Sequence, residues 1–407
     1  MTLLAAAPLE DLADQPRPWA KGPRVAVISL ATPLDPLSWS GTPHRMLGEL
    51  RRRFADVHVI DTPRADAVLR RLSVLGLVGL LPAREPLVCA WFGRHLGRRL
   101  TALSPDVVVA VAAEGKVAAL AGRWPMVVVS DSFFANMLDY YPRYARLAAR
   151  VREAGHDQQR RLLDQGAAIL LGSAWAARTA AEAYGRPVSR FGVAPFGANF
   201  EPEDWRSRPD DGGPIRLLFV GVDWRRKGGA LAVAAFEILR RRFGDAELHI
   251  VGSRPDVRGP GLHCHGRLSK DRAADASLLR TLYAESSFVF TPSRQEAFGL
   301  VFAEACAFGV PPVAADTGGV GEIIRHGVNG LLLSASATAA DYAEAIGALW
   351  TDRPAYGAMR RAAREAFETR LNWTAWGDAM ERAIDDCLRK NALEQGRSRA
   401  IGSSRDF

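Results

Sequence analysis

The sequence predicts an α/β protein built from two doubly wound domains that face each other across a cleft. Three observations predict it. Short apolar runs of the kind buried in parallel sheets alternate with amphipathic stretches from Arg24 to Ala194. A second alternation of the same kind begins at Ile215. Between the two, Glu201 to Pro214 is acidic, carries Pro and Gly and has no period, which marks an interdomain linker. A length of 407 residues suits this division. The expected organisation is a poorly ordered Pro-rich leader (1–20), a first domain (21–200), the linker (201–214), a second domain (215–371), a closing helix (372–390) and a disordered tail (391–407).

Composition excludes several classes. Apolar residues make up 48% and charged residues 24%, ordinary values for a soluble globular chain. No apolar run reaches the ~20 residues that span a bilayer. Val107 to Ala121 comes nearest and carries Glu114 and Lys116. The N-terminus has no basic stretch and soon meets Glu10 and Asp11, so it is not read as a signal peptide. Cys89, Cys264, Cys306 and Cys387 are scattered without metal-ligand spacing, which suits free thiols in a reducing cytoplasm. The net charge of +8 suits nucleic acid, an anionic membrane face or an anionic substrate, and equally an arginine-rich coding bias. There is neither zinc-finger spacing nor an RNP-like aromatic signature, so nucleic acid is not expected as a partner.

In order, Arg24 to Leu30 is the first strand and Ala31 to Pro43 a long loop of small and turn residues. A helix from about His44 to Phe54 places Met46, Leu47, Leu50 and Phe54 on one face. Strand, Gly-bearing loop and helix form the opening of a nucleotide-fold unit, and the loop lies at the carboxyl end of the strand, where such sheets bind ligands. No G-x-G-x-x-G is present, so a dinucleotide is not indicated. Val57 to Ile60 is the second strand. Ala67 to Leu103 reads as helical, and its basic segment Leu69 to Leu81 suits either a helix packed on the sheet or one lying on an anionic membrane. Asp106 to Val111 and Met126 to Ser130 are apolar strands whose exits carry Glu114 and Asp131. An aromatic stretch, Asp131 to Pro142, leads to a helix from Tyr144 to Gln165. Strand Ala168 to Leu171 follows, then a helix capped by Ser173, and then a strand that reaches Pro195–Asn199.

In the second domain, strand Ile215 to Val220, helix Ala230 to Phe243 and strand Ala246 to Val251 come first. The loop Gly221 to Gly229 sets Arg225, Arg226 and Lys227 at a strand's carboxyl end, where they can neutralise a diphosphate or form a solvated basic turn. The central stretch runs from Ser287 to Pro311. Ser287 to Phe290 is a buried strand, Pro292 and Ser293 end it, and Phe298 to Phe308 is a helix stopped by Gly309 and Pro311. A helix start at Phe298, Gly299 and Leu300 offers unpaired N–H groups and a positive dipole end to a phosphate. Glu296 and Glu304 bracket it, and carboxylates accept hydrogen bonds from hydroxyls. A phosphate between two hydroxyl-binding acids fits a sugar nucleotide, with Glu296 on the sugar and Glu304 on the ribose. Alone, the pair also fits a surface loop with a self-capped helix. The strand Pro312 to Ala315 and the loop Asp316 to Glu322 follow, and that loop's glycines let backbone approach a ligand.

Together the pieces resemble the GT-B glycosyltransferases of the large retaining family four, also called glycosyl transferases group 1. The resemblance covers about Arg24 to Lys390 and is densest from Ile215 to Leu333. Its residues are Gly221 with Lys227-Gly228-Gly229, Pro292-Ser293, Glu296 to Val301 with Glu304-Ala305, Gly309 to Pro311, Gly318-Gly319 with Glu322, and Asn329 to Leu331. Pro195 to Asn199 resembles the family's Pro-Asn-Gly-Val-Asp turn. The resemblance implies that Lys227 holds the diphosphate and Glu296 the sugar hydroxyls. It further implies that the amides of Phe298, Gly299 and Leu300 hold sugar and phosphate oxygens, and that Glu304 binds the ribose. The turn containing Arg267 would lie by the base, and Gly41 and Thr42 would belong to a glycine loop over the phosphates. It also implies that the closing helix crosses back to the first domain. Two departures stand out. Val222 occupies the place of the family's usual Arg, so Arg225 or Arg226 is expected to supply the second cation. The family's N-domain histidine has no counterpart, and Asp131 stands in that place, either as a base or hydroxyl ligand or as a helix N-cap.

The implied activity is retaining transfer of a hexose-type sugar from a nucleotide diphosphate sugar to a saccharide or lipid-linked acceptor, by front-side attack without a metal or other cofactor. The expected location is the cytoplasm, with the basic helical segment allowing association with the membrane's inner face. A GT-B sugar-nucleotide epimerase is the alternative enzyme. A basic membrane- or nucleic-acid-binding protein on a nucleotide fold is the non-enzymatic one.

Overall fold

The computed structural model describes residues 22–72, 79–200 and 213–403. The leader, most of the linker and the last four residues of the tail lie outside the described residues.

The first half contains β1 (Arg24–Ser29), α1 (Thr42–Arg53), β2 (Asp56–Val59), α2 (Pro63–Leu72), α3 (Pro86–Leu103), β3 (Val107–Val111), α4 (Glu114–Val117), β4 (Met126–Ser130), α5 (Phe134–Leu138), α6 (Pro142–Ala145), α7 (Ala149–Asp164), β5 (Ala168–Leu171), α8 (Ala174–Tyr184) and β6 (Phe191–Val193). All neighbouring strands are parallel, in the order β2-β1-β3-β4-β5-β6. Every residue of β3 and β4 is buried, as their unbroken apolar runs require of central parallel strands.

The second half contains β7 (Arg216–Val220), α9 (Gly229–Phe243), β8 (Glu247–Val251), β9 (Leu262–Gly266), α10 (Ala273–Glu285), β10 (Phe288–Thr291), α11 (Leu300–Ala307), β11 (Pro312–Ala315), α12 (Val320–Ile323), β12 (Leu331–Leu333), α13 (Ala339–Thr351), α14 (Arg353–Thr369) and α15 (Trp373–Ser403). Its sheet is again parallel, ordered β12-β11-β10-β7-β8-β9. The fold is therefore the expected two-sheet α/β architecture.

Several elements differ from the sequence reading. The helix read over Tyr144–Gln165 is two helices, because Leu147 turns into a small core with Phe134, Leu138 and Val151 and the Ala148 amide donates to the Gly79 carbonyl at 2.9 Å. The helical reading of Ala67–Leu103 resolves into α2 and α3, with Pro82 between them and Pro86 opening α3; residues 73–78 of the basic segment lie outside the described residues. α2 buries no residue fully; Ala65 and Leu69 rest on the sheet's core while Val68 and Leu72 are exposed. The helix expected to end at Lys390 continues to Ser403.

α15 joins the halves. Its Trp373 Nε1 donates to the Ala198 carbonyl at 3.0 Å, and Arg53 of α1 donates to the Thr374 carbonyl at 2.8 Å and pairs with Asp378 at 2.7 Å. One continuous apolar cluster includes Phe196 and Phe200 from the first half and Phe298, Phe308 and Trp373 from the second. Phe196 lies 5.0 Å from Phe298 and 6.3 Å from Trp373 between ring centroids. Such pairs contribute about 0.5–1.5 kcal/mol each beyond their buried area. No helix among the described residues is long and apolar enough to cross a membrane.

Candidate active site

The carboxyl ends of both sheets open on a cleft of about 1740 Å³. β10 ends at the buried Thr291, Pro292 breaks the strand, and Arg294, Gln295 and Glu296 beyond it line the cleft. The loop then turns back through Gly299, whose φ of 95° is a left-handed value that favours glycine, and α11 starts at Leu300. The start of α11 thus faces the cleft, which Gly299, Leu300 and Val301 line.

Lys227 and Glu296 form a buried ion pair at this point. Ser293 Oγ donates to the same carboxylate oxygen at 3.3 Å. Arg226 lies 3.6 Å from Glu296 and donates to the Gln295 carbonyl at 2.8 Å. Arg226 is thus bound to the Glu296 loop, while Arg225 lines the cleft with its side chain exposed. Glu304, in the second turn of α11, is buried; Tyr283 donates to it at 2.9 Å and Lys270 forms an ion pair with it. Burial and the Glu304 charge hold the Tyr283 phenol well above its ordinary pKa, so it acts as a neutral donor. Arg267, Phe298 and Leu300 line the same space, and the Phe298 ring packs on Phe196.

The first half supplies the opposite wall. Ser40 and Thr42 line it, with Gly41 buried between them. Trp39 and Ser40 hold positive φ values of 45° and 58°. Asn199 fixes this loop by donating to the Ser40 carbonyl at 2.8 Å and to Thr42 Oγ1 at 2.9 Å. Asp131 sits at the exit of β4 and lines the cleft. It is not a helix cap: α5 begins after Phe133, whose amide donates to Asn136 Oδ1 at 2.6 Å. Desolvation foremost, then the charges of Glu114 and Glu296, push the Asp131 carboxyl up to about 7.

Four features escaped the sequence reading. Tyr140 and Tyr141 cross from the first half to clamp the Glu296 loop: the Glu296 amide donates to Tyr140 Oη at 2.7 Å and the Ala297 amide to Tyr141 Oη at 3.0 Å. Lys270 is the partner of Glu304. Lys116 is buried, pairs with Asp66 at 2.7 Å and donates to the Ser29 carbonyl at 2.7 Å, beside an Arg84–Glu114 pair at 3.6 Å. Burial is the main cause that lowers the Lys116 pKa and raises that of Glu114. The loop Gly318-Gly319, expected to approach a ligand, instead lies against the protein's own backbone. A Cβ on Gly319 would stand 2.0 Å from the Ala297 carbonyl oxygen, and the Gly319 amide donates to the Glu296 carbonyl at 3.1 Å. The aromatic stretch at the β4 exit was visible in the sequence; its pairing with a loop 156 residues away was not.

The fold and this cleft define a two-domain GT-B protein with its polar groups gathered where the two sheets meet. Residues 201–366 match the family of glycosyl transferases group 1. The chain is 34% identical over 233 residues to a D-inositol 3-phosphate glycosyltransferase of Pseudarthrobacter chlorophenolicus, covering 53% of this chain and 54% of that one. It spans about half the length of this and other curated relatives it matches. Among solved structures, it superposes on sucrose-phosphate synthase from Thermosynechococcus elongatus with a TM-score of 0.65 at 16% identity, covering 90% of this chain and 100% of that one. On the Anabaena protein HepE in complex with UDP the TM-score is 0.61 at 16% identity, with 89% and 100% covered. At these identities the structural likeness shows the GT-B fold.

Proposed function

We propose that the chain is a retaining glycosyltransferase that moves a hexose-type sugar from a nucleotide diphosphate sugar to a hydroxyl of a saccharide or lipid-linked acceptor. The observation that carries this reading is the buried Lys227–Glu296 pair beside the start of α11. A cation and a carboxylate in contact, next to a phosphate-binding helix end, can grip the two unlike parts of such a donor at once. Lys227, Arg225 and the α11 amides take the diphosphate; Glu296 takes the sugar hydroxyls; Glu304, with Tyr283, takes the ribose. HepE, a structural neighbour, binds UDP and UDP-glucose.

In the reaction, an acceptor oxygen attacks the anomeric carbon from the face that the diphosphate leaves. The new C–O bond forms as the C–O(phosphate) bond breaks, and the acceptor proton passes to a leaving-group oxygen. The protein's part is positioning and stabilisation of the charge that grows on the diphosphate. The cations of Lys227 and Arg225 perform the neutralisation that a metal would otherwise supply. Asp131, near neutrality in its affinity for a proton, orients the acceptor or sugar hydroxyl. The acceptor wall also carries Arg143 and Arg146, which suits an acceptor bearing an anionic group, as the name of the inositol-phosphate relatives implies for theirs. The two clamping tyrosines keep donor and acceptor walls in register.

The test is turnover of a panel of nucleotide sugars by wild type and Glu296→Gln. Loss of turnover in a variant that keeps its circular dichroism and melting profile supports the reading; unchanged turnover overturns the placement of the sugar.

A further inference from the structure

The outer edge of the second sheet carries a group of residues that the cleft does not use. β8 and β9 pair in parallel with His249 opposite His263. On β8, Leu248 and Ile250 enter the core, so alternation turns Glu247 and His249 to the other face. There the His249 ring stacks on His263 at 4.7 Å and on His265 at 5.3 Å between centroids. One donor atom each from Glu247, His249 and His263 lie within 4.8 Å of one another.

Two of these residues have a second partner that orients them. His249 turns Nε2 toward Glu247 at 3.5 Å and Nδ1 toward His265 Nε2 at 3.0 Å. Arg216 Nε donates to Glu247 Oε2 at 3.0 Å. Metal-ligating histidines and carboxylates are commonly held in this way by an outer group that fixes tautomer and angle. We propose that Glu247, His249 and His263 bind a divalent late transition-metal ion, with His265 and Arg216 as positioning residues.

The donor set decides the class of ion. Two imidazoles and one carboxylate suit Zn²⁺, Ni²⁺ or Cu²⁺ rather than Mg²⁺ or Ca²⁺, which prefer oxygen ligands. A tetrahedral ion with bonds of about 2.1 Å spaces its donors by about 3.4 Å, so the set must contract slightly. His263 is exposed and free to make that movement, and solvent can supply a fourth ligand. The sequence reading indicated no metal site because E-x-H on one strand and H-x-H on another acquire meaning only through the strand register. An ion here would tie β9 to β8 just before the turn that carries Arg267 and Lys270 into the cleft.

The experiment uses the full chain without an affinity tag, dialysed against chelator and titrated with Zn²⁺, Co²⁺ and Mg²⁺ by calorimetry and visible absorption. The expected result is one Zn²⁺ per chain, a visible Co²⁺ spectrum of four-coordinate type, and no saturable Mg²⁺ binding. His263→Ala, at an exposed position, should weaken Zn²⁺ at least tenfold while leaving the melting temperature of the metal-free protein unchanged. His265→Ala should weaken it about tenfold through loss of orientation. Absence of stoichiometric Zn²⁺ binding, or binding unchanged in a folded His263→Ala variant, overturns the proposal.

Discussion

Replacing Asp131 by asparagine should stabilise the protein at pH 8 while damaging its chemistry. The carboxyl sits at about 7 against an ordinary 3.8, chiefly because burial disfavours its charge. The sign follows from linkage. Below pH 4 the group is protonated in both folded and unfolded chains and contributes nothing. Between pH 4 and 7 the unfolded chain ionises while the folded one holds its proton, so stability falls as pH rises. Above pH 7 the full cost is present. At about 1.36 kcal/mol per pKa unit, that cost is about 4 kcal/mol as an upper bound. Partial access to the cleft reduces it to about 2 kcal/mol. Asparagine keeps an acceptor oxygen for the backbone amides but carries no charge. For a domain of this size, about 2 kcal/mol raises Tm by roughly 5 °C. The assay is differential scanning fluorimetry of both proteins at pH 4.5 and pH 8. The expected Tm gain of the variant is near zero at the lower pH and largest at the higher one. A difference that does not change with pH, or a less stable variant at pH 8, refutes the electrostatic reasoning. In turnover assays the wild type should lose activity as pH falls through 7, and the variant should lack that limb.

Three further outcomes follow from the same contacts. Lys227→Ala leaves the buried Glu296 with Arg226, at 3.6 Å, as its remaining cationic partner and should cost roughly 3 kcal/mol of stability, read by chemical denaturation at pH 8; glutamine at position 296 in the same chain should recover part of it. Tyr140→Phe removes the acceptor of the Glu296 amide and the bond to Thr317 Oγ1 at 2.7 Å; kcat should fall more than tenfold with a smaller change in donor KM, because the loop's position is loosened rather than its charge. Gly319→Ala forces a backbone shift against the Ala297 carbonyl and should abolish turnover and lower Tm, whereas alanine at the open Gly327 turn should leave turnover unchanged.

The two sheets were legible because β3, β4, β7 and β10 are short apolar runs bounded by polar or turn residues, a pattern set by burial on both faces. β9 was not legible: Leu262–Gly266 reads Leu-His-Cys-His-Gly, with two histidines and no apolar alternation, since it is an edge strand whose identity comes from pairing with β8. The strand-exit residues Lys227, Glu296 and Glu304 could be singled out because local order alone places them at the mouth of a parallel sheet. Their companions could not. Tyr140, Lys270 and Tyr283 reach the site over 156, 34 and 21 residues of sequence separation, and only tertiary packing brings them there. The glycine pair 318–319 shows the same limit from the other side. The sequence reading offered their bare backbone to a ligand, and the structure shows that the close neighbour is the Glu296 loop itself.

The central claim is that the cleft grips a nucleotide diphosphate sugar between Lys227, Glu296 and the start of α11. The most direct test is a thermal-shift panel of nucleotide diphosphates and nucleotide sugars against wild type and Lys227→Ala. A ligand at 100 times its dissociation constant adds about 2.7 kcal/mol to the folded state. The account predicts a shift with one base, increased by one sugar, and largely lost in the variant. No shift with any nucleotide, or an equal shift in both proteins, contradicts it.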